Sequence, residues 1–533
     1  MLTKIHSSIC NFRKIRLSTN ALIFFLVLAI GVFARVWEFG SLPPGLNVDE
    51  ASSGVEAYYL YKFGVDRNGV SYPVNFISWR TGQQNALYAY LLIPFVIFGE
   101  LSPFYIRLPM MLSGILSLPL MFYVSKKLGG IGFGLLCMFL MAVSPWHIVN
   151  SRWAVESNIF PFVFLIAFSF VLASKKNNKF FIAACIFFAL SLYSYGTAYA
   201  SVPIFLFLSI ILLLYYKRVT PLTIILGLVI FTILSLPILM FIFINIFKFD
   251  TIHLGPITIP RTPLEARFQY MTALFDENPL KIAAKNTRIM FQLLWMQSDN
   301  LQWNYVEPFG YFYKITFPFA VLGFLLIAPI KAENKIPERW LVFIWMLAAL
   351  SIGVIHPVNL TRINLIFTPL LICIGWFLAE ANKYFKYSLA LSSILLLVVF
   401  IFFNIAYHGK TYRQIASSVF NAGIIPAIEY ASYNTDGEIC LTDKTYFAYI
   451  YVLYVQKIHP SKYIDQIEWA YTNNPAESFP VPRQLGRFAF SGFNCSNTKK
   501  TSYIYSLKEN PPDKSIQYKE KRFLKFKVFI PKR

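Results

Sequence analysis

Residues 85–99 read NALYAYLLIPFVIFG, and whether this stretch crosses a bilayer fixes the sidedness of everything after it. It is apolar but short, with Pro94 in its middle. An apolar run of roughly 10–14 residues is more often interfacial or re-entrant than spanning, because about 20 residues are needed to cross. With 85–99 in the interface, the run 103–124 travels inward and ends at Lys126 and Lys127. The run 131–145 goes out, 159–173 returns to Lys175, Lys176 and Lys179, 180–195 goes out, and 199–216 returns to Lys217 and Arg218. The alternation continues with 219–246 outward, 313–330 inward to Lys331, Lys335 and Arg339, and 340–355 outward. Finally 363–380 comes inward to Lys383 and Lys386, and 387–406 goes outward. Every short basic connection is then cytoplasmic, as the positive-inside rule requires. A spanning 85–99 would put every one of them outside.

Composition agrees with a chain built for lipid. Of 533 residues, 56% are hydrophobic and 14% charged, against about 25% charged in soluble domains. Long solid apolar runs exclude an outer-membrane barrel, whose strands alternate over short segments. The net charge of +22 does not argue for nucleic acid, since much of the excess sits in the short connections just described. The N-terminal MLTKIHSSICNFRKIRLSTNALIFFLVLAIGVFARVW resembles a signal peptide but lacks a small-x-small cleavage site. It reads as an uncleaved first span with Lys4, Arg13, Lys14 and Arg16 in the cytoplasm.

The expected fold is an all-α polytopic membrane protein of about eleven transmembrane helices. The N-terminus is inside, and interfacial helices lie in the first outer loop. Stretches 38–102, 146–158 and 247–312 share the outer face. A transmembrane domain, 1–407, precedes an extracytoplasmic α/β domain, 408–533. The latter mixes strand-like EICLTD and KFKVFIP with a helical YFAYIYVLYVQK. Its end, 499–533, carries eleven Lys/Arg against three Asp/Glu, suited to anionic membrane lipids or glycans, or simply to water. Cys137, Cys185 and Cys373 fall in apolar runs as small core residues. Cys440 and Cys495 lie outside, where pairing is chemically open, although sequence does not place their Cα atoms.

The outer loops hold the chemistry. The first opens GSLPPGLNVDEASSGVEAYYLYK, residues 40–62. Asn47 and Glu50 have capping-box spacing, so Glu50 has a structural role available. Asp49 is not needed as a cap, although the helix dipole favours an acid there by about 0.3–1 kcal/mol. The second loop, SPWHIVNSRWAVESN at 144–158, offers His147, Arg152 and Glu156. Arg152 and Glu156 are four apart, spacing that suits a local ion pair as well as a phosphate-binding arginine beside an acid. Arg362, in HPVNLTRINLIF at 356–367, and Arg107, in FYIRLP, stand at span ends. Each suits either snorkelling or holding an anionic headgroup.

The order of these features resembles the C-type glycosyltransferases. It is similar in particular to the bacterial branch related to protein O-mannosyltransferases and to the transferase that adds aminoarabinose to lipid A. The resemblance rests on the Asp-Glu after the first span, the RLP, the span ending in Lys-Lys and the loop SPWHI..SRWA.E, and it covers roughly 20–380. It implies a polyprenyl-phosphate-linked sugar donor, a lipid, glycan or protein acceptor, and direct, inverting displacement on the outer face. On this pattern Asp49 is the general base, Glu50 orients the acceptor or the loop, and Glu156 is the acid of the second loop. Arg152, Arg362, Arg107 and Arg80 are the lipid-phosphate candidates. Arg80, in SWRTGQQNALY, stands where relatives often carry Lys-Pro-Pro. A divalent metal between Asp49 and Glu156 stays open. The alternatives are a transporter or flippase and a polymerase for lipid-linked glycans. A transporter would want ionisable groups inside the spans, whereas the acids here gather on one side.

Overall fold

A computed structural model describes residues 18–79, 84–264, 272–273, 277–327, 337–470, 481–490, 495–496, 498–510 and 515–532. Lys4, Arg13, Lys14, Arg16, Arg80, Lys331 and Lys335 lie outside these. The chain begins with α1 (Thr19–Val36), capped by Ser18, whose hydroxyl accepts from the Ala21 N–H. The first outer loop holds α2 (Val48–Phe63), the two-residue strands β1 (Asn75–Phe76) and β2 (Gln84–Asn85), and α3 (Leu87–Phe98). At 12 residues, α3 is about 18 Å long, well short of a bilayer of about 30 Å. It lies against α2 and the start of the next helix, with Tyr88, Ala89, Leu92 and Val96 buried. The Tyr88 hydroxyl donates to the Ile106 carbonyl at 2.7 Å.

α4 (Pro103–Val143) is broken at Gly129 and Gly130. Gly130 holds φ of 85°, a conformation costly to any residue with a Cβ, so the chain doubles back directly after Lys126 and Lys127. There follow α5 (Pro145–Asn150), α6 (Glu156–Ala173), α7 (Lys179–Leu192), α8 (Ala198–Tyr215) and α9 (Pro221–Phe247), then helices at Pro279–Met296, Phe317–Ile327, Pro337–Ile355, Phe367–Tyr384 and Ser388–Tyr407. Eight of the described helices are long and apolar enough to cross a membrane. α7 and the helix near 314–326 are apolar but shorter. Eleven were expected from the sequence; the second arm of α4, α7 and the 314–326 helix, like α3, fall short of the length needed to cross. The lipid-facing sides are visible as exposed Leu, Ile and Phe along α1, α9 and Ser388–Tyr407.

The hairpin β3 (Ile252–Leu254) and β4 (Ile257–Ile259) reaches the first outer loop, where the Val74 N–H donates to the Thr258 carbonyl at 3.1 Å. The C-terminal domain is built on a mixed seven-stranded sheet of β5 (Ile439–Leu441), β6 (Ile467–Trp469), β7 (Pro482–Leu485), β8 (Phe488–Phe490), β9 (Ser502–Ser506), β10 (Tyr518–Phe523) and β11 (Phe526–Pro531). Their spatial order is 10-11-9-5-8-7-6, with β5 parallel to β8 and β9. β5 and β11 fall on the EICLTD and KFKVFIP runs, and a helix at Tyr449–Gln456 falls on YFAYIYVLYVQK. Cys440 and Cys495 are joined by a disulfide with Cα atoms 6.0 Å apart. β10, at the sheet edge, presents Lys519, Glu520, Lys521 and Arg522 to solvent, the charged surface that keeps an open edge from pairing with another chain.

This domain does not hang free. Leu46, Val55 and Tyr59 of the first outer loop share one buried cluster with Ile450, Leu453 and Tyr463. The Tyr59 hydroxyl donates to the Ile458 carbonyl at 2.5 Å, and the Tyr454 hydroxyl donates to Leu101.

Candidate active site

Proline and glycine set the position of α2. After Pro43, Pro44 and Gly45 the chain turns, and Asn47 caps the helix: its side chain accepts from the Asp49 N–H at 3.0 Å, while Glu50 accepts from the Asn47 N–H at 2.9 Å. The capping box anticipated from spacing therefore forms. Glu50 is completely buried. Its carboxylate also accepts Arg107 Nε and Nη2 at 2.7 and 2.8 Å and the Ala154 N–H at 2.8 Å. Arg107, equally buried, donates to the Pro43 and Gly45 carbonyls at 2.7 and 2.8 Å. Every polar atom of the two side chains is hydrogen-bonded, so this pair stitches the loop to α4.

Asp49, one residue earlier on the helix, points elsewhere. It is half-buried and lines a cavity of about 580 Å³ at one end of the helices, beside the first turn of α6. Glu156 and Arg362 line the same cavity, with His356, Asn359 and Thr361 beside Arg362. Glu156 stands in the first turn of α6. Arg362 donates through Nη1 to the Pro357 carbonyl at 2.9 Å, and its N–H to Asn359 Oδ1 at 3.0 Å.

Two polar hubs bring the second loop and the 356–367 turn together. Asn364 Oδ1 accepts Trp146 Nε1 at 2.6 Å and Asn150 Nδ2 at 3.1 Å; its Nδ2 donates to Asn158 Oδ1 and the Ser157 carbonyl, both at 3.2 Å. Asp299 accepts from the Leu360 N–H at 3.0 Å, the Leu301 N–H at 3.1 Å and Asn304 Nδ2 at 2.7 Å. Trp303, between Leu301 and Asn304, lines the same cavity.

Arg152 is placed differently from Glu156. It is fully buried and donates to the carbonyls of Ala34, Arg35 and Leu42 at 3.1–3.2 Å, with its guanidinium 5.3 Å from the Tyr407 ring centroid. The expected sharing of a face fails because the chain is not helical between them: α5 ends at Asn150 and α6 begins at Glu156. His147 is likewise away from the cavity. Its Nδ1 lies 2.6 Å from Arg35 Nη2, and burial with that neighbouring cation holds the imidazole well below its usual pKa, in the neutral form that accepts. Arg80 lies outside the described residues.

Of the seven predicted side chains, then, the cavity gathers Asp49, Glu156 and Arg362. It also takes in residues that sequence reasoning missed: Trp79, Trp153, Trp303, Tyr195, Tyr199 and Asn85. Asn85 Nδ2 donates to the Tyr199 hydroxyl at 3.0 Å. Only His356, Asn359 and Thr361 had a visible signal, as a polar run at a span end. Among the described residues no group of three or more His, Cys, Asp and Glu side chains is arranged to hold a metal. Two carboxylates on one cavity match a hard divalent cation that keeps water and substrate phosphate oxygens in its shell.

No protein-family model matches the chain, and no curated protein matches it. Solved structures do. ArnT from Cupriavidus metallidurans in the apo state aligns with a TM-score of 0.54 at 10% identity, over 95% of this chain and 97% of that one. The same protein bound to undecaprenyl phosphate gives 0.54 at 11% identity over the same shares. The archaeal oligosaccharyltransferase AglB from Archaeoglobus fulgidus, in complex with an inhibitory peptide and a dolichol-phosphate, gives 0.48 at 12%, over 82% of this chain and 63% of that one. The chain shares the fold of ArnT over nearly the full length of both.

Proposed function

We propose that this chain is a membrane glycosyltransferase that moves a sugar from a polyprenyl-phosphate carrier to an acceptor hydroxyl on the extracytoplasmic face. The observation that carries the reading is that one cavity, at the end of the helices where the first long loop lies, is lined by both Asp49 and Arg362. Asp49 takes the proton of the acceptor hydroxyl. The acceptor oxygen bonds to the anomeric carbon as the bond from that carbon to the phosphate oxygen breaks, with inversion. The charge that grows on the departing lipid phosphate meets Arg362. Glu156 sits across the same cavity and orients the acceptor.

Glu50, Arg107 and Arg152 are better read as holding the loop than as touching substrate, because all three are fully buried, none lines the cavity, and each is bonded to protein groups, Arg152 through Nη1 and Nη2. A divalent cation held by Asp49 and Glu156 would neutralise part of the phosphate charge, and no step here depends on it. The undecaprenyl phosphate bound by ArnT supports the donor class. The cytoplasmic N-terminus is proposed on the charge pattern, the division at 407/408 on the end of the last long apolar helix at Tyr407, and the plasma-membrane location on the resemblance noted from the sequence.

The test is transfer from a radiolabelled polyprenyl-phosphate sugar in membranes, wild type against Asp49→Asn. Transfer by the wild type, reduced about 10²- to 10⁴-fold in a folded mutant, supports the reading. Undiminished transfer by the mutant removes Asp49 as base, and movement of lipid-linked sugar across the membrane without covalent transfer removes the enzyme.

A further inference from the structure

Two of the aromatic residues that line the cavity are backed by residues of the C-terminal domain. Trp79 stacks on Phe447 with ring centroids 4.0 Å apart and planes 25° from parallel. The Arg67 guanidinium lies 5.4 Å from the Trp79 ring centroid. Trp79 has φ of 56°, a left-handed conformation that bulky residues adopt only where the surroundings over-determine it. Trp153 meets Phe420 edge-on at 5.8 Å.

The turn that carries Asp49 is held from the same side. The Tyr451 hydroxyl donates to the Leu46 carbonyl at 2.8 Å and accepts from Asn421 Nδ2 at 2.9 Å. Gly45, at φ of 82°, passes so close that a Cβ there would fall 2.3 Å from the Phe420 carbonyl oxygen.

We propose that Phe447 and Tyr451 are positioning residues of the cavity. Phe447 fixes the Trp79 wall, and Tyr451 fixes the turn from which Asp49 projects. The outer domain thereby sets the geometry of a site to which it contributes no acid or base. The kinetic consequence rests on the reaction proposed above; the structural one does not.

The test uses full-length protein in detergent, labelled with 5-fluorotryptophan, with the Trp79 resonance assigned from Trp79→Phe. Phe447→Ala is expected to shift and broaden that resonance, and Phe447→Tyr, which keeps a ring in place, to restore it. Phe447→Leu, which keeps most of the volume without the ring, serves if the alanine variant does not fold. With a radiolabelled polyprenyl-phosphate sugar, Phe447→Ala and Tyr451→Phe are expected to lose about 10- to 100-fold in kcat, with KM little changed, as small misplacements of reacting groups do. A Trp79 resonance that ignores loss of the Phe447 ring overturns the proposal, whatever the activity. So does a moved resonance with kcat intact in both variants. If the resonance moves as expected while the wild type transfers no sugar, the positioning role stands and the proposed reaction falls.

Discussion

Glu50 and Arg107 lie 57 residues apart in the chain and meet in a two-point fork, with Nε to Oε1 at 2.7 Å and Nη2 to Oε2 at 2.8 Å, both side chains fully buried. The Arg107 guanidinium also lies 5.5 Å from the Phe420 ring centroid, so α2, α4 and the approach to the C-terminal domain converge on one ion pair. Removing one partner leaves the other charged and buried, which costs about 3–5 kcal/mol. Glu50→Gln and Arg107→Ala should each lower the unfolding midpoint in detergent strongly. Arg107→Lys should rescue little, because a point charge does not replace a planar fork. A Glu50→Gln protein with an unaltered melt would show that the pair does not hold the loop.

Arg362 and Arg152 make a matched contrast. Arg362 lines the cavity, whereas Arg152 is buried among backbone carbonyls. Arg362→Ala should cut sugar transfer about 10²- to 10³-fold, the range for removing one group that stabilises developing charge, and should leave the melt nearly in place. Arg152→Ala should destabilise by about 1–3 kcal/mol, from lost buried hydrogen bonds. Side-by-side kinetics and melts separate the two, and the reverse pattern would exchange their roles.

Acidity should stabilise the first outer loop. Asp66 is buried, and desolvation together with the nearby Glu56 charge raises its pKa from 3.8 to about 7, against the pull of Arg67 and of the Val70 and Asn68 N–H groups. A carboxyl whose folded pKa is raised holds its proton in the native state and sheds it in the unfolded chain between those two values. Its contribution is therefore most favourable below about pH 4 and declines until about pH 7. Asp66→Asn should flatten that part of the stability profile measured by chemical denaturation from pH 4 to 7. An unchanged slope would mean that other groups set it.

The Cys440–Cys495 bridge closes a loop with a sequence separation of 55. Chain-entropy reasoning gives about 4 kcal/mol for a loop of that size. Cys440→Ala with Cys495→Ala, or reductant on the native protein, should lower the midpoint of the C-terminal domain. Non-reducing and reducing peptide mass analysis should differ by the linked pair. Free thiols in protein purified without reductant would remove the bridge.

Much of the frame was legible. The short helix at 85–99 and the long apolar helices were legible, because bilayer thickness acts on local sequence, and eight of the described helices have the length and apolarity to cross. The Asn47–Glu50 spacing gave the capping box for the same reason. What escaped notice is relational. Nothing local announces that Arg107 reaches back to Glu50, that Arg152 donates to the Ala34, Arg35 and Leu42 carbonyls, or that Asp299 accepts from the Leu360 N–H. Tyr195 and Tyr199 look like any aromatics at a span end until α8 is packed. Glu156 and Arg152 were paired by counting four residues on a helix that turned out to have a gap there.

Because Ile450, Leu453 and Tyr463 complete the cluster begun by Leu46, Val55 and Tyr59, the earliest outer loop waits for some of the latest-made residues of the chain. Until the segment around 449–463 has been made, Leu46, Val55 and Tyr59 lack the apolar partners that bury them in the finished fold, so the packing of α2 is tied to residues that the ribosome adds some 400 positions later.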